Sequence, residues 1–106
     1  MTLSDPASVL RRLTDIERDL AKAQNEFEKA AMIWFTAKRN REHDWAVAFI
    51  AAQGPVEQRK AVATKTVASD GLEAEARYEA LKARVRTLEA RATIGQSILR
   101  AQRETV

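Results

Sequence analysis

Apolar residues in the first half of the chain alternate at spacings of three and four. Leu13, Ile16, Leu20, Ala23, Phe27, Ala30, Trp34 and Ala37 form one such series. This is the a/d seam of a helix that packs along another helix. Asp5-Pro6 marks its start, because proline favours the first helical position and an aspartate before it can cap. Nothing then breaks the pattern until Gly54, nearly fifty residues later, a helix of roughly 70 Å at about 1.5 Å per residue. After Ala37 the register slips. Continuing it unchanged would put Arg41 and Asp44 in the core, whereas a shift of four gives Trp34, Lys38, Arg41, Trp45, Ala48 and Ala52, with Phe49 alongside. Such a stutter locally unwinds a supercoil. Two stretches, Ala31–Phe35 and Ala46–Ile50, are apolar on more than one side, and a helix of that kind needs cover on several sides.

Gly54-Pro55 predicts the bend, with glycine suited to a left-handed cap and proline unable to extend the first helix. A shorter helix follows over about 55–68, with Glu57 at its dipole-positive start and Val62 and Val67 as its main apolar residues. Ser69-Asp70-Gly71 reads as a break, and Asp70 with Glu73 has the spacing of a capping box. The last helix is expected over about 70–103. Its seam is Tyr78, Leu81, Val85, Leu88, Ala92, Gly95 and Leu99, widened by Ile94 and Ile98. Gly95 on a seam costs about 1 kcal/mol of helix propensity, and close approach of another helix is the physical reason to keep it. The fold class is therefore all-α: one domain over residues 1–106, a long antiparallel helical hairpin of coiled-coil type with a short helix near the bend.

Composition agrees. Charged residues make up 31% of 106 residues, with only three glycines and two prolines, a balance typical of long helices. Cysteine is absent, which excludes disulfides and thiolate metal sites. The N-terminal residues lack the basic leader and apolar core of a secretory signal, and the longest uncharged run, Ala46–Val56, is far short of the roughly 20 residues needed to span a bilayer. No membrane association is expected. A two-helix hairpin this small has little interior, and one Ala-rich partner helix cannot cover Trp34, Phe35, Trp45 and Phe49. The expectation is a dimer that completes a helical bundle, with Phe27, Trp34, Phe35, Trp45 and Phe49 at its interface.

Charge adds one feature. The net charge of +3 gathers in the middle: residues 38–65 carry Lys38, Arg39, Arg41, Arg59, Lys60 and Lys65 against Glu42, Asp44 and Glu57. A hairpin brings both basic groups to the bend end, where they could meet phosphates or an acidic protein. Catalytic chemistry is not indicated. His43 lies between Glu42 and Asp44, but adjacent residues point to different sides of a helix. There is no second histidine, no Glu-x-x-His pair, no Gly-x-Ser-x-Gly elbow and no glycine-rich phosphate loop. The expectation is a non-enzymatic protein with no cofactor and no metal.

Val56-Glu57-Gln58-Arg59-Lys60-Ala61, together with Leu81-Lys82-Ala83-Arg84-Val85-Arg86-Thr87-Leu88-Glu89-Ala90-Arg91 and Ile94-Gly95-Gln96-Ser97-Ile98-Leu99, resembles small all-helical proteins carried by bacteriophages, often among early replication and recombination genes. The likeness covers mainly residues 56–103. It implies a bacterial cytoplasm and an accessory role in phage DNA replication or recombination, exercised through nucleic acid or a DNA-processing protein at the basic bend. The other reading from the residues is a structural or adaptor coiled-coil protein, or a small inhibitor of a host protein. Secreted helical hairpins carry a Trp-x-Gly turn, which this chain lacks: Gly54 stands nine residues after Trp45.

Overall fold

The computed structural model describes residues 5–104. Among them the chain is all-α and folds as a helical hairpin of three helices: α1 (Pro6–Ala51), α2 (Val56–Thr66) and α3 (Leu72–Glu104). The start of α1 has the predicted cap. The Asp5 carboxylate accepts from the backbone N–H of Ala7 at 3.4 Å and from the hydroxyl of Ser8 at 3.0 Å, so one of the orphan N–H groups of the first turn finds a partner.

The chain divides into two compact units. The first, Met1–Glu28 with Glu79–Val106, is a helix pair whose numbering rises along α1 as it falls along α3. Leu13 lies against Gly95, where an added Cβ would stand 3.2 Å from Leu13 Cδ1. Further along, Ala23, Val85 and Leu88 form a buried cluster with Ile16, Leu20 and Phe27 packed on it. The predicted seams are the buried ones. Val9 extends the α1 seam by one more turn, while Ile94 lies outside the α3 stripe, 59% exposed. Gly95 and Ala92 face the partner helix, and with Leu88 and Leu99 they leave Ile94 on the solvent side of the same turns.

The second unit is Lys29–Tyr78. Here the inner stripe of α1 runs Ala30, Trp34, Ala37, Arg41, Trp45 and Ala48 and continues to Ala52 just past the helix end, with Ala31 and Phe49 half-buried alongside. The two consecutive steps of four, through Ala37, Arg41 and Trp45, are the stutter; Lys38 is exposed and Arg41 occupies the inner stripe. The last helical carbonyls of α1 end at the bend. Ala52 N–H still donates to Ala48 at 3.0 Å, and Gly54 takes φ +110°. Pro55 is extended (φ −60°, ψ 156°) and caps α2 from outside, its carbonyl accepting from Arg59 N–H at 3.0 Å.

The inner face of α2 differs from the predicted one. Ala63 is fully buried and Val67 is 2% exposed, whereas Val62 is 44% exposed. Arg59, Ala63 and Val67 are four apart and so line one face. Val62, one residue off this line, turns away. The small side chain of Ala63 is what lets α2 lie close.

The break before α3 is real, a turn spanning residues 67–71. Val67 accepts from Asp70 N–H at 3.0 Å, and Gly71 takes φ +77°. Gly71, not Asp70, immediately precedes the first residue of α3, and its carbonyl accepts from Glu75 N–H at 2.9 Å. A capping box needs Asp70 in that place, so the Asp70–Glu73 spacing does no capping. Glycine is required here twice over: by the left-handed φ, and because a Cβ would meet Trp34 Cζ3 at 3.2 Å and Ala37 Cβ at 3.5 Å.

Candidate interaction surface

The aromatic residues of the second unit find partners within their own chain. Trp45 and Phe49 stack with ring centroids 5.4 Å apart and planes 6° from parallel. The indole N–H of Trp45 donates to the hydroxyl of Thr64 at 3.1 Å, tying α1 to α2. Trp34 lies under the Gly71 turn. Phe35 meets Tyr78 at 5.7 Å, the rings tilted by 56°, yet remains 55% exposed. Phe27 packs on the buried cluster of the first unit. The cover for Trp34, Trp45 and Phe49 therefore comes from α2 and the turn after it, elements that a two-helix picture omits.

The six basic residues are not one patch. Arg59 is the most constrained. Its guanidinium donates through Nε and Nη2 to the carbonyl of Phe49 at 3.2 and 3.1 Å, and its Cζ sits 4.3 Å from the centre of the Phe49 ring. That carbonyl is one of the last four of α1, which lack helical partners and form the negative end of the helix dipole. No basic residue stands in the last turn of α1 itself; α2 supplies one. Arg41 is half-buried in the inner stripe, while Arg39, two residues earlier, is exposed on a side roughly 160° away at 3.6 residues per turn. Lys60 lies 3.6 Å from Glu57. Lys38 and Lys65 are exposed. A cation that satisfies a helix end and stacks on a ring is engaged in holding the bend, and of the three cations before the bend Lys38 and Arg41, three residues apart, share a side of α1 that Arg39 does not.

The two stretches expected to be apolar on several sides, Ala31–Phe35 and Ala46–Ile50, carry the most distinctive surface. Met32 is 73% exposed, Ile33 59%, Val47 52% and Ile50 75%. The apolar stretches of α1 were expected to need cover on several sides, and these four side chains remain more than half exposed, Ile33 bordering a shallow pocket with Gly71, Leu72 and Arg77. Met32, Thr36, Arg39, His43, Ala46 and Ile50 are all exposed and recur at steps of four, three, four, three and four. They form a second heptad-spaced stripe, on the side of α1 opposite Ala37, Arg41 and Trp45. The signal was present in the sequence as a second period, hidden because Arg39 and His43 break its apolar run.

Elsewhere, a groove of about 800 Å³ in the first unit is lined by Arg11, Arg12 and Arg91 with Asp15, Asp19 and Ile98; its mixed charges favour no single ligand. Among the described residues no group of three or more His, Asp or Glu is placed to hold a metal ion, and no helix is long and apolar enough to cross a membrane. Comparison with family models, with curated proteins and with solved structures returns no match. The structure defines a class by architecture: an all-α helical hairpin whose bend is clamped by the short helix α2, with an exposed stripe along the back of α1.

Proposed function

We propose that this chain is a non-enzymatic helical interaction protein, an adaptor or inhibitor that works by presenting the outer face of α1 to another protein. The observation that carries this reading is the pairing of a filled inner stripe with a bare outer one. Trp34, Trp45 and Phe49 are engaged within the chain, so Met32, Val47 and Ile50 are surplus to the fold. Met32 and the Val47–Ile50 pair leave apolar side chains exposed at both ends of a heptad-spaced face, and a helix face with apolar anchors on one side suits a partner helix or groove. The test is a comparison of the chain with a Val47→Glu, Ile50→Glu variant, each immobilised in nuclease-treated bacterial extract. A protein retained by the parent chain and lost from the variant supports the reading. Equal retention by both overturns it.

A second reading, contact with nucleic acid, is favoured by Lys38 and Lys65, which are exposed and have no acidic partner among the described residues. The role in phage DNA replication or recombination implied by the resemblance belongs with it. Binding of DNA at low salt that falls steeply as salt rises, and that is lost in Lys38→Glu, Lys65→Glu, would favour it. Arg59 is unsuited to this test, because its charge also holds the bend.

A further inference from the structure

Resting on the interaction reading, we infer that the occupant of the outer α1 face is a second copy of this chain, laid antiparallel with the two-fold axis crossing that face at the level of Arg41. The stripe is symmetric about that level. Met32 lies nine residues before Arg41 and Ile50 nine after; Thr36 and Ala46 lie five on either side; Arg39 and His43 lie two on either side. A two-fold interface is self-complementary: whatever residue i of one copy meets, its counterpart meets in return. Turned end over end about Arg41, one helix therefore sets Met32 on Ile50 of the other copy at both ends. Ala46 and the flanking Val47 meet the methyl-bearing Thr36, and the polar residues fall together in the centre.

The centre is complementary in charge. In the antiparallel arrangement Arg39 of one copy comes beside Glu42 of the other, once on each side of the axis, giving a four-membered cluster with two charges of each sign. Both residues are exposed, and among the described residues neither is held in an ion pair of its own chain. A parallel pair would instead stack Arg39 on Arg39 and His43 on His43. Apolar ends with a polar middle are the arrangement that sets helix direction and register at some cost in affinity. The contact is one helix face over about 19 residues, roughly 28 Å, which is short for a standard interface, so the association is expected to be reversible and concentration-dependent.

The chain has no cysteine, which makes the direction directly readable. Met32→Cys and Ile50→Cys are made as separate variants, and each is oxidised alone and as a mixture. In the antiparallel pair the two Met32 positions are roughly 27 Å apart, far beyond the roughly 7 Å between Cα atoms that a disulfide allows. The expected result is a covalent dimer in the mixture and little in either variant alone. A dimer from Met32→Cys alone, equal to that of the mixture, overturns the proposed direction. Sedimentation across the micromolar range supplies the second arm. Arg39→Glu should weaken self-association by roughly tenfold or more through like charges at the centre, and Arg39→Glu with Glu42→Arg should restore it to within roughly threefold. Circular dichroism establishes that each variant is folded. A parent chain that stays monomeric throughout this range overturns the inference; retention of a different protein, lost on Val47→Glu, Ile50→Glu, would then leave the interaction reading standing.

Discussion

Arg59→Ala tests whether the basic residue at the bend is architectural. Alanine is the best helix former, so α2 itself gains nothing adverse from the change. What disappears is the forked donation to Phe49 O at 3.2 and 3.1 Å and the guanidinium 4.3 Å above the Phe49 ring. A hydrogen bond involving a charged group contributes about 1.5–3 kcal/mol, and the lower end applies because Arg59 is only half-buried and water can replace it. A cation over an exposed ring adds about 0.5–1 kcal/mol. The favourable placement at the helix end is the same interaction counted from another side and is not added. The expected loss is about 2 kcal/mol, or roughly 8 °C in Tm for a chain of this size. Arg59→Lys keeps the charge without the fork and should lose about half of that. The assay is urea denaturation followed at 222 nm and by the fluorescence of Trp34 and Trp45. A double-mutant cycle with Phe49→Leu, which leaves the carbonyl in place, should give a coupling of about 0.5–1 kcal/mol for the ring contact. If Arg59→Ala changes stability by less than about 0.5 kcal/mol, against the magnitude expected for a charged hydrogen bond, the clamp is not structural and Arg59 returns to the pool of cations available to a phosphate.

Other outcomes follow from the same geometry. Gly71→Ala forces a left-handed φ on a residue with a Cβ 3.2 Å from the Trp34 ring, and should cost about 1–3 kcal/mol, read as a fall in the urea midpoint. Gly95→Ala should be close to neutral in the same measurement: the gain of about 1 kcal/mol in helix propensity is offset by the push on Leu13 Cδ1, the far end of a flexible side chain. Ala63→Leu puts a large side chain where nothing is exposed and should destabilise by about 1–3 kcal/mol, with loss of the Trp45 environment visible in its emission. Leu88→Ala, in the buried cluster of the first unit, should cost about 2–5 kcal/mol; a smaller value would show that this helix pair closes over the gap.

The legibility of the chain was uneven for physical reasons. Helix periodicity is local, so the two seams, the stutter after Ala37, the Asp5-Pro6 start and the Gly54-Pro55 bend could all be read from spacing alone. The inner face of α2 could not. With only eleven residues and two large apolar residues, Val56 and Val62, both exposed, it has too little pattern to say which side packs, and burial went to Ala63, whose smallness is the feature that counts. The basic residues show a second limit of local pattern. Six cations near a bend are counted together in a sequence, but a helix turns by about 100° per residue, which places Arg39 on a different side of α1 from Lys38 and Arg41.

The order of residues by itself determined that this protein is a helical hairpin, because a break-free chain with apolar residues every third and fourth position can bury them only by forming long helices and setting them side by side. Tertiary structure alone decided what the bend does. Folding α2 back against α1 gave Trp34, Trp45 and Phe49 their partners, spent Arg59 on the open carbonyl of Phe49, and left Met32, Val47 and Ile50 bare. Which apolar residues are core and which are surplus depends on what covers them, and cover is a property of the packed chain that no local spacing encodes.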